Sequence, residues 1–262
     1  MWSILIAAAI LGEPVASPIK GQLVVVGGGN TTSEIVSRTL DLAGGKSAKI
    51  VILSEANPDY GPGSLAQWKR TEAAQVTLVS ARQSLDAVKR IREADLIWMS
   101  GGLQGVFMNA IDGTGIAEAI RTRYRDGAIV GGTSAGAAVM TRKMIGGRSD
   151  LDSLKAYTAP FLMDGLGLWP EAIVDQHFLQ KGRFNRLALA VLEFPNLVGV
   201  GIDEETAVIV HGREFEVVGN GNVTVVDARK ASHEKLVKEE PAAVRNMRLH
   251  VLRAGMKFSF GD

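Results

Sequence analysis

The sequence predicts an α/β protein in which a mostly parallel sheet is flanked by helices. From residue 21 onward, short aliphatic runs alternate with amphipathic stretches, and glycine, proline or polar residues bound the runs. The composition, 46% hydrophobic and 22% charged, is that of a globular protein. Alternation of this kind is typical of parallel strands joined by crossover helices. The predicted strands are residues 22–26, 49–53, 76–79, 96–99 and 128–131, and the predicted helices are residues 32–42, 64–73, 85–92, 116–124 and 135–140.

The pattern changes after residue 207, where three short strands are predicted at residues 207–210, 214–218 and 222–227. A Gly219-Asn220-Gly221 turn separates the last two, and such a turn is typical of a β-hairpin. We therefore expect a C-terminal antiparallel hairpin extension of the main sheet. No linker, repeat or low-complexity segment interrupts the chain, which predicts a single α/β domain over residues 18–262.

Charge and cysteine content exclude several classes of function. Lys and Arg total 29 and Asp and Glu total 28, so the net charge of +1 provides no long-range field for nucleic acid or anionic lipid. The absence of cysteine excludes a thiolate nucleophile, disulfides and thiolate metal sites. The glycine-rich loop at residues 27–30 has neither the Gly-x-Gly-x-x-Gly spacing of dinucleotide-binding proteins nor the Lys-Ser/Thr pair of a P-loop, so nucleotide binding is not expected. We expect neither a cofactor nor a metal.

The N-terminus contains an apolar run over residues 2–11, which has the length of a secretory signal core and is too short to span a bilayer. Its first basic side chain is Lys20, so the usual positive segment before the core is missing apart from the amino terminus. A signal peptide over residues 1–17 would place the mature protein outside the cell or in the periplasm. A misassigned start and a lead-in to the first strand are the alternatives, and both leave the protein in the cytoplasm.

The candidate nucleophile is Ser134. It lies in Gly-Thr-Ser-Ala-Gly at residues 132–136, between a predicted strand and a predicted helix. This is the pattern of a nucleophile elbow, in which small neighbours let the serine occupy a sharp, strained turn. The N–H groups of the following helix can stabilise developing negative charge. The alternative is a glycine-rich turn that packs closely or binds phosphate.

A serine nucleophile needs a base and an orienting acid. His177 is the preferred base among four histidines because it follows a strand-like run, where open α/β sheets place their sites. The acid is expected in Asp203-Glu204-Glu205, which follows another apolar run. Residue types alone do not choose among these three carboxylates, and an acidic turn is often merely solvated.

Four motifs together resemble the serine peptidase family that contains cyanophycinase and aspartyl dipeptidase. They are Gly-Gly-Leu-Gln at residues 101–104, Gly-Thr-Ser-Ala-Gly-Ala at 132–137, Asp-Gln-His-Phe at 175–178, and Gly-Ile-Asp-Glu-Glu-Thr-Ala at 201–207. The resemblance runs from about residue 21 to residue 227 and implies a fold similar to class I glutamine amidotransferases. It implies Ser134 as nucleophile, His177 as base and Glu204 as third member, with the backbone N–H groups of Gly102 and Ala135 as the oxyanion hole.

The resemblance also implies a substrate and its site. Family members cut cyanophycin, a polyaspartate backbone carrying arginine on its side-chain carboxylates, to β-aspartyl-arginine, and the resemblance implies a homodimer. A basic cluster near a helix start is disfavoured by the macrodipole, so an anion is expected beside it, although a solvated basic face is the alternative. The residues implied to bind substrate are Gln104, Asp175, Gln176, Lys181, Arg183 and Arg186.

Two departures bear on specificity. Lys181 replaces a family arginine and lacks the planar fork that pairs with a carboxylate, and Leu103 replaces a frequent aspartate. Cleavage of short aspartyl peptides is therefore a rival function, although that branch usually has a bulky residue at Thr133. A non-catalytic binding protein on the same fold is the second rival.

Overall fold

The aliphatic runs of the chain form a mixed sheet with helices on both faces. The computed structural model describes residues 18–146, 154, 162–238 and 240–261, and the predicted signal segment lies outside these ranges. The strands are β1 Leu23–Val26, β2 Lys49–Leu53, β3 Gln75–Val79, β4 Leu96–Met99, β5 Ile129–Thr133, β6 Lys143–Ile145, β7 Leu162–Asp164, β8 Ala172–Gln176, β9 Val198–Ile202, β10 Thr206–His211, β11 Glu214–Gly219, β12 Val223–Asp227, β13 Ser232–His233, β14 Val244–Arg245, β15 Arg248–Leu252 and β16 Lys257–Ser259. The helices are α1 Ser33–Leu42, α2 Gly61–Lys69, α3 Ser84–Arg92, α4 Gln104–Ile111, α5 Ile116–Asp126, α6 Ala135–Ala138 and α7 Phe184–Glu193.

The main sheet has the order β16-β11-β10-β1-β5-β4-β2-β3. Strands β1 to β5 run parallel within it, and β10, β11 and β16 are antiparallel at one side. A second sheet has the order β15-β12-β9-β8, with β8 and β9 parallel. The predicted α/β class, with a mostly parallel sheet and an antiparallel C-terminal extension, is confirmed. Sequence reasoning missed α4 and extended the predicted α2 beyond its observed end.

Alternating side chains give the main sheet two buried faces. Val24 and Val26 of β1 pack with the apolar sides of α1 and α2, which cover one face. Leu23 and Val25 belong to a larger cluster with α3 to α6 and the four-stranded sheet on the other face. Helix α7 covers the far side of the four-stranded sheet, where Leu187 is fully buried. Within the described ranges, no helix is long and apolar enough to cross a membrane.

The hairpin predicted at Gly219-Asn220-Gly221 is wrong, because β11 and β12 lie in different sheets. The hairpin is formed instead by β10 and β11. The Asn220 N–H donates to the carbonyl of Glu205 at 3.0 Å, and the Gly221 N–H donates to Thr206 Oγ1 at 2.8 Å. The turn is therefore held by the first residue of β10 and the residue before it, and it carries the chain from one sheet to the other.

Candidate active site

The candidate site lies where the carboxyl ends of parallel strands from both sheets meet. Ser134 follows β5, and Gly101 and Gly102 follow β4 in the main sheet. His177 follows β8 and Glu204 follows β9 in the four-stranded sheet. The two sheets pack through one core, so residues far apart in the sequence converge at one edge.

Ser134 occupies a sharp turn between β5 and α6. Its backbone has φ 55° and ψ −113°, a conformation that non-glycine residues rarely adopt, and its N–H donates to the carbonyl of Val26 at 3.0 Å. The flanking glycines are required by space: a Cβ at Gly136 would lie 2.1 Å from the carbonyl oxygen of Met99, and one at Gly132 would lie 2.6 Å from that of Gly136. Such strain at a serine between a strand and a helix is the geometry of a nucleophile elbow.

His177 lies beside Ser134 and also has a positive φ, 49°. Its Nε2 is 2.9 Å from Ser134 Oγ, and its backbone N–H donates to the carbonyl of Gly27 at 2.6 Å. The glycine-rich loop after β1 packs against its ring, since a Cβ at Gly28 would lie 2.3 Å from His177 Cε1. This loop, which was not predicted to belong to the catalytic set, positions the imidazole. The run of glycines directly after a predicted strand was the sequence feature that could have indicated this role.

The structure separates the three adjacent carboxylates. Glu204 Oε1 lies 2.6 Å from His177 Nδ1. Asp203 is buried and accepts the N–H groups of Leu179 and Asn222 at 3.0 and 3.1 Å, so it holds the backbone on either side. Glu205 accepts hydrogen bonds from two asparagine side chains. A carboxylate can only accept, so Nδ1 carries the imidazole proton and Nε2 is left to accept the proton of Ser134.

The environment of His177 favours the neutral form that a base requires. Burial lowers the pKa of His177 most strongly; the hydrogen bond that its Nδ1 donates to Glu204 raises that pKa, and the charge of Lys181 lowers it again. The balance holds the pKa below its ordinary value of 6.5. His177 is therefore neutral at pH 7 and ready to take a proton.

Replacing Lys181 by glutamine is expected to shift the acidic limb of the pH profile of kcat/KM to higher pH. The reason is that Lys181 lowers the pKa of His177, so removing its charge raises that pKa. The free-enzyme limb is measured by initial rates across pH. Lys20→Gln is the matched control, because the exposed Lys20 precedes β1 at the opposite end of the sheet. An unchanged or lowered limb in Lys181→Gln would contradict the prediction.

The predicted oxyanion hole consists of the backbone N–H groups of Gly102, in the loop after β4, and of Ala135, directly after Ser134. Gly102 has φ 133°, and a Cβ there would lie 2.4 Å from the carbonyl oxygen of Ala56, so this loop is seated on the segment after β2. Ala135 begins α6. Within the described part of the chain, neither N–H donates a hydrogen bond. Both donors are thus left for a ligand, and their catalytic role stays a prediction.

A cavity of about 720 Å³ surrounds Ser134 and His177. Lys181 is the only predicted substrate-binding residue among its described lining residues. Gln104 lies at the start of α4, and its side chain donates to the carbonyl of Ile145 at 2.6 Å. The described lining consists of Gly28, Gly29, Asn30, Thr31, Tyr60, Gly63, Ser64, Gln67, Gly101, Gly102, Thr133, Ser134, His177 and Lys181.

The other predicted substrate-binding residues form a buried network beneath His177. Arg186 Nε donates to Asp175 Oδ2 at 2.6 Å, and its Nη2 donates to the other carboxylate oxygen. Arg183 lies 3.6 Å from the same carboxylate and also donates to the backbone and side-chain oxygens of Gln176. Asp175 is therefore the anion beside the basic cluster. Direct contact with substrate stays a prediction for these four residues.

Replacing Arg186 by alanine is expected to destabilise the fold by about 3–5 kcal/mol, because it leaves a carboxylate buried without its bidentate partner. The side chains of Arg186 and Asp175 are only 3% and 0% exposed. Burial raises the pKa of Asp175, and the guanidinium groups oppose that rise. Urea unfolding measures the loss. Arg38→Ala, which breaks the exposed pair with Glu216, is the control and should cost about 1 kcal/mol or less. Equal losses in the two variants would refute the account.

An α/β protein whose serine, histidine and carboxylate are joined in this way has the arrangement of a serine hydrolase. The chain belongs to peptidase family S51, whose family model matches residues 54–218. It is therefore a peptidase, and the resemblance found in its motifs is confirmed. No group of three or more histidine, aspartate or glutamate side chains in the described ranges is arranged to hold a metal ion.

Curated relatives agree with this family, and solved structures share the fold. The chain is 34% identical over 257 residues to a cyanophycinase of Geminocystis herdmanii strain PCC 6308, covering 92% of this chain and 94% of that protein. It is 33% identical over 255 residues to a cyanophycinase of Nostoc sp. strain PCC 7120, covering 91% and 85%. A crystal structure of a peptidase from an acI-B1 actinobacterium superposes with a TM-score of 0.62 at 20% identity, covering 93% of this chain and 98% of that one. A putative peptidase E of Listeria monocytogenes EGD-e gives 0.58 at 17% identity, covering 77% and 99%, and at such identities the likeness shows the fold alone.

Proposed function

We propose that the chain is a serine exopeptidase that hydrolyses cyanophycin to β-aspartyl-arginine dipeptides through an acyl-enzyme. The observation that carries the proposal is the continuous hydrogen-bonded chain from Ser134 through His177 to Glu204, at 2.9 and 2.6 Å, inside a cavity of about 720 Å³. The relatives named cyanophycinase, 31–34% identical over about nine-tenths of the chain, support the choice of substrate.

The proposed reaction has two halves. His177 Nε2 takes the hydroxyl proton as Ser134 Oγ attacks the scissile carbonyl carbon, and the backbone N–H groups of Gly102 and Ala135 stabilise the oxyanion. The imidazolium then gives its proton to the leaving nitrogen, and the carbon–nitrogen bond breaks. In the second half His177 takes a proton from water as the water oxygen attacks the ester carbonyl. The bond between that carbon and Ser134 Oγ then breaks, His177 returns the proton to Oγ, and the acid product leaves. Glu204 orients the ring and stabilises its charged form throughout.

Lys181 supplies the cation of the proposed substrate site. Lys181 lines the cavity, and it makes no ion pair with another described residue. A carboxylate of the polymer can pair with this point charge, although without the bidentate geometry of arginine. Leu103 directly follows Gly102 and is 66% exposed, so this position next to the proposed oxyanion hole carries no negative charge, where the resembling family often has aspartate. Both features bear on substrate preference.

Product analysis tests the proposal. The purified protein is incubated with cyanophycin and, separately, with synthetic α- and β-aspartyl dipeptides, and the products are identified by mass. Release of β-aspartyl-arginine from the polymer supports the proposal, and Ser134→Ala is the control for contaminating activity. Cleavage of dipeptides without attack on the polymer would assign the chain to the short-peptide branch. Binding of the polymer without any turnover would make it a binding protein.

The assembly and destination of the protein form a separate part of the proposal. The resemblance implies a homodimer, and light scattering coupled to size-exclusion chromatography measures the mass. A monomer at micromolar concentration would contradict this part.

N-terminal sequencing of the protein from its native host tests the signal peptide proposed for residues 1–17, since an intact Met1 would exclude its removal.

A further inference from the structure

The wall of the cavity opposite Lys181 has no role in the mechanism above. It is formed by Tyr60, Ser64 and Gln67, from α2 and the turn before it, together with Asn30 and Thr31 from the loop after β1. Helix α2 packs on the other face of the main sheet from the four-stranded sheet that carries Lys181. The two walls therefore approach Ser134 from different sides.

Tyr60 presents an aromatic ring to this cavity. It is 54% exposed although it is a large aromatic residue, and it makes no side-chain hydrogen bond with another described residue. Its Cδ2 lies 3.9 Å from the position of a Cβ built on Gly101, and that same position is 3.5 Å from Ser134 Cβ. An exposed ring this close to the nucleophile offers a π-face to the substrate.

Two amides on the same wall are oriented by the protein. Gln67 Nε2 donates to the carbonyl of Thr31 at 3.1 Å, and Asn30 Nδ2 donates to Glu205 Oε1 at 3.1 Å. Each amide nitrogen gives one of its two N–H groups to an acceptor, which orients the amide, and neither amide oxygen accepts a hydrogen bond within the described part of the chain. The wall therefore combines two neutral acceptors with an aromatic face.

This combination fits a planar cation with several N–H donors. A guanidinium stacks on an aromatic face and donates in its own plane to oxygen acceptors. No carboxylate side chain is among the described lining residues, so the wall would bind such a cation without a salt bridge. Lys181 on the opposite side disfavours a cation near itself by like-charge repulsion.

We propose that Tyr60, Gln67 and Asn30 form the subsite for an arginine side chain next to the scissile bond. This inference rests on the proposed function and names residues that determine its specificity. The ring supplies stacking, and the two amide oxygens accept N–H groups from the edge of the guanidinium. The substrate class is a β-aspartyl peptide that bears arginine, in preference to the same peptide with a neutral side chain.

The test compares two synthetic substrates, oligomers of β-aspartyl-arginine and the same oligomers with neutral citrulline in place of arginine. Tyr60→Ala is expected to raise KM for the arginine oligomer by about 5- to 30-fold, with kcat and the KM for the citrulline oligomer changed by roughly twofold or less. Tyr60→Phe keeps the ring and should behave like the wild type. Tyr60→Leu keeps apolar bulk without the ring and should behave like Tyr60→Ala. Gln67→Ala should raise the same KM in the same direction.

Several results would overturn the subsite. A wild-type enzyme with equal KM for both oligomers has no guanidinium preference. Retention of the preference in both Tyr60→Ala and Gln67→Ala, with unchanged thermal unfolding, would place the recognition elsewhere. If Tyr60→Leu had the KM of the wild type for the arginine oligomer, the ring would contribute apolar volume only and no stacking. Failure of the wild type to cleave either oligomer would refute the proposed function and the subsite with it, whereas cleavage without discrimination refutes the subsite alone.

Discussion

Ser134→Ala is expected to lower kcat by roughly 10⁴- to 10⁶-fold while leaving substrate binding nearly intact. The reason is that the variant removes the oxygen proposed to form the acyl bond, whereas the cavity wall and the N–H groups of Gly102 and Ala135 are unchanged. Single-turnover assays measure the rate, and calorimetric titration with a β-aspartyl-arginine oligomer measures the affinity. Activity above a few per cent of wild type would show that another group is the nucleophile.

A second substitution separates chemistry from strain at the same position. Alanine retains the unfavourable φ of 55° at residue 134, but Ser134→Gly removes it. We expect both variants to be inactive and Ser134→Gly to unfold at the higher temperature, by an amount that corresponds to about 1 kcal/mol. Equal unfolding temperatures would mean that the elbow stores no strain at this residue.

Gly28→Ala is expected to lower kcat by about 10²- to 10⁴-fold although Gly28 takes no part in the chemistry. Its Cβ would lie 2.3 Å from Cε1 and 2.4 Å from Nε2 of His177, so the ring must move from the position in which it contacts both Ser134 and Glu204. A displaced imidazole no longer accepts the serine proton. The measurement is kcat together with labelling of Ser134 by a serine-directed fluorophosphonate, and both should fall.

Gly44→Ala is the matched control for this prediction. Gly44 has φ 100°, close to the 110° of Gly28, but a Cβ there meets only Ser47 Oγ, at 3.5 Å. The Gly44→Ala variant therefore measures the loss of stability caused by an unfavourable φ alone, without contact with the ring of His177. We expect a modest loss of thermal stability and unchanged kcat. If Gly28→Ala behaved in the same way, the glycine loop would have no role in positioning His177.

Regular structure was predictable where the pattern is local. The aliphatic runs bounded by glycine and polar residues mark β2 and β4 at their observed ends, because a buried strand needs only a continuous apolar segment. The hairpin at Gly219-Asn220-Gly221 was mispredicted, since a turn sequence specifies a reversal but does not specify which strands pair. Helix α4 was missed because its Val106 is an exposed apolar residue, which obscures the amphipathic period of the helix.

The three adjacent carboxylates could not be assigned separate roles from residue type and position along the chain. Asp203, Glu204 and Glu205 are adjacent and chemically similar, and only their three-dimensional partners give them separate roles. Likewise, Asp175 and Arg186 are eleven positions apart and read as independent charged groups, yet they form one buried ion pair. Such partners depend on how two sheets pack, which no local period encodes.

The sequence by itself predicted the α/β class and a candidate nucleophile, because a strand, a glycine-flanked serine and a helix form a local unit whose geometry follows from adjacent residues. The class of enzyme was implied by the family resemblance of the four motifs taken together. The sequence also predicted His177, through its place at the end of a strand. The resemblance had implied Glu204 as the third member, but only the tertiary structure shows its contact with that histidine, the reason why Gly28 must be glycine, and the wall of the cavity that holds Tyr60 and Gln67. These depend on contacts between the ends of strands in two different sheets, and the packing of the sheets on a common core sets those distances.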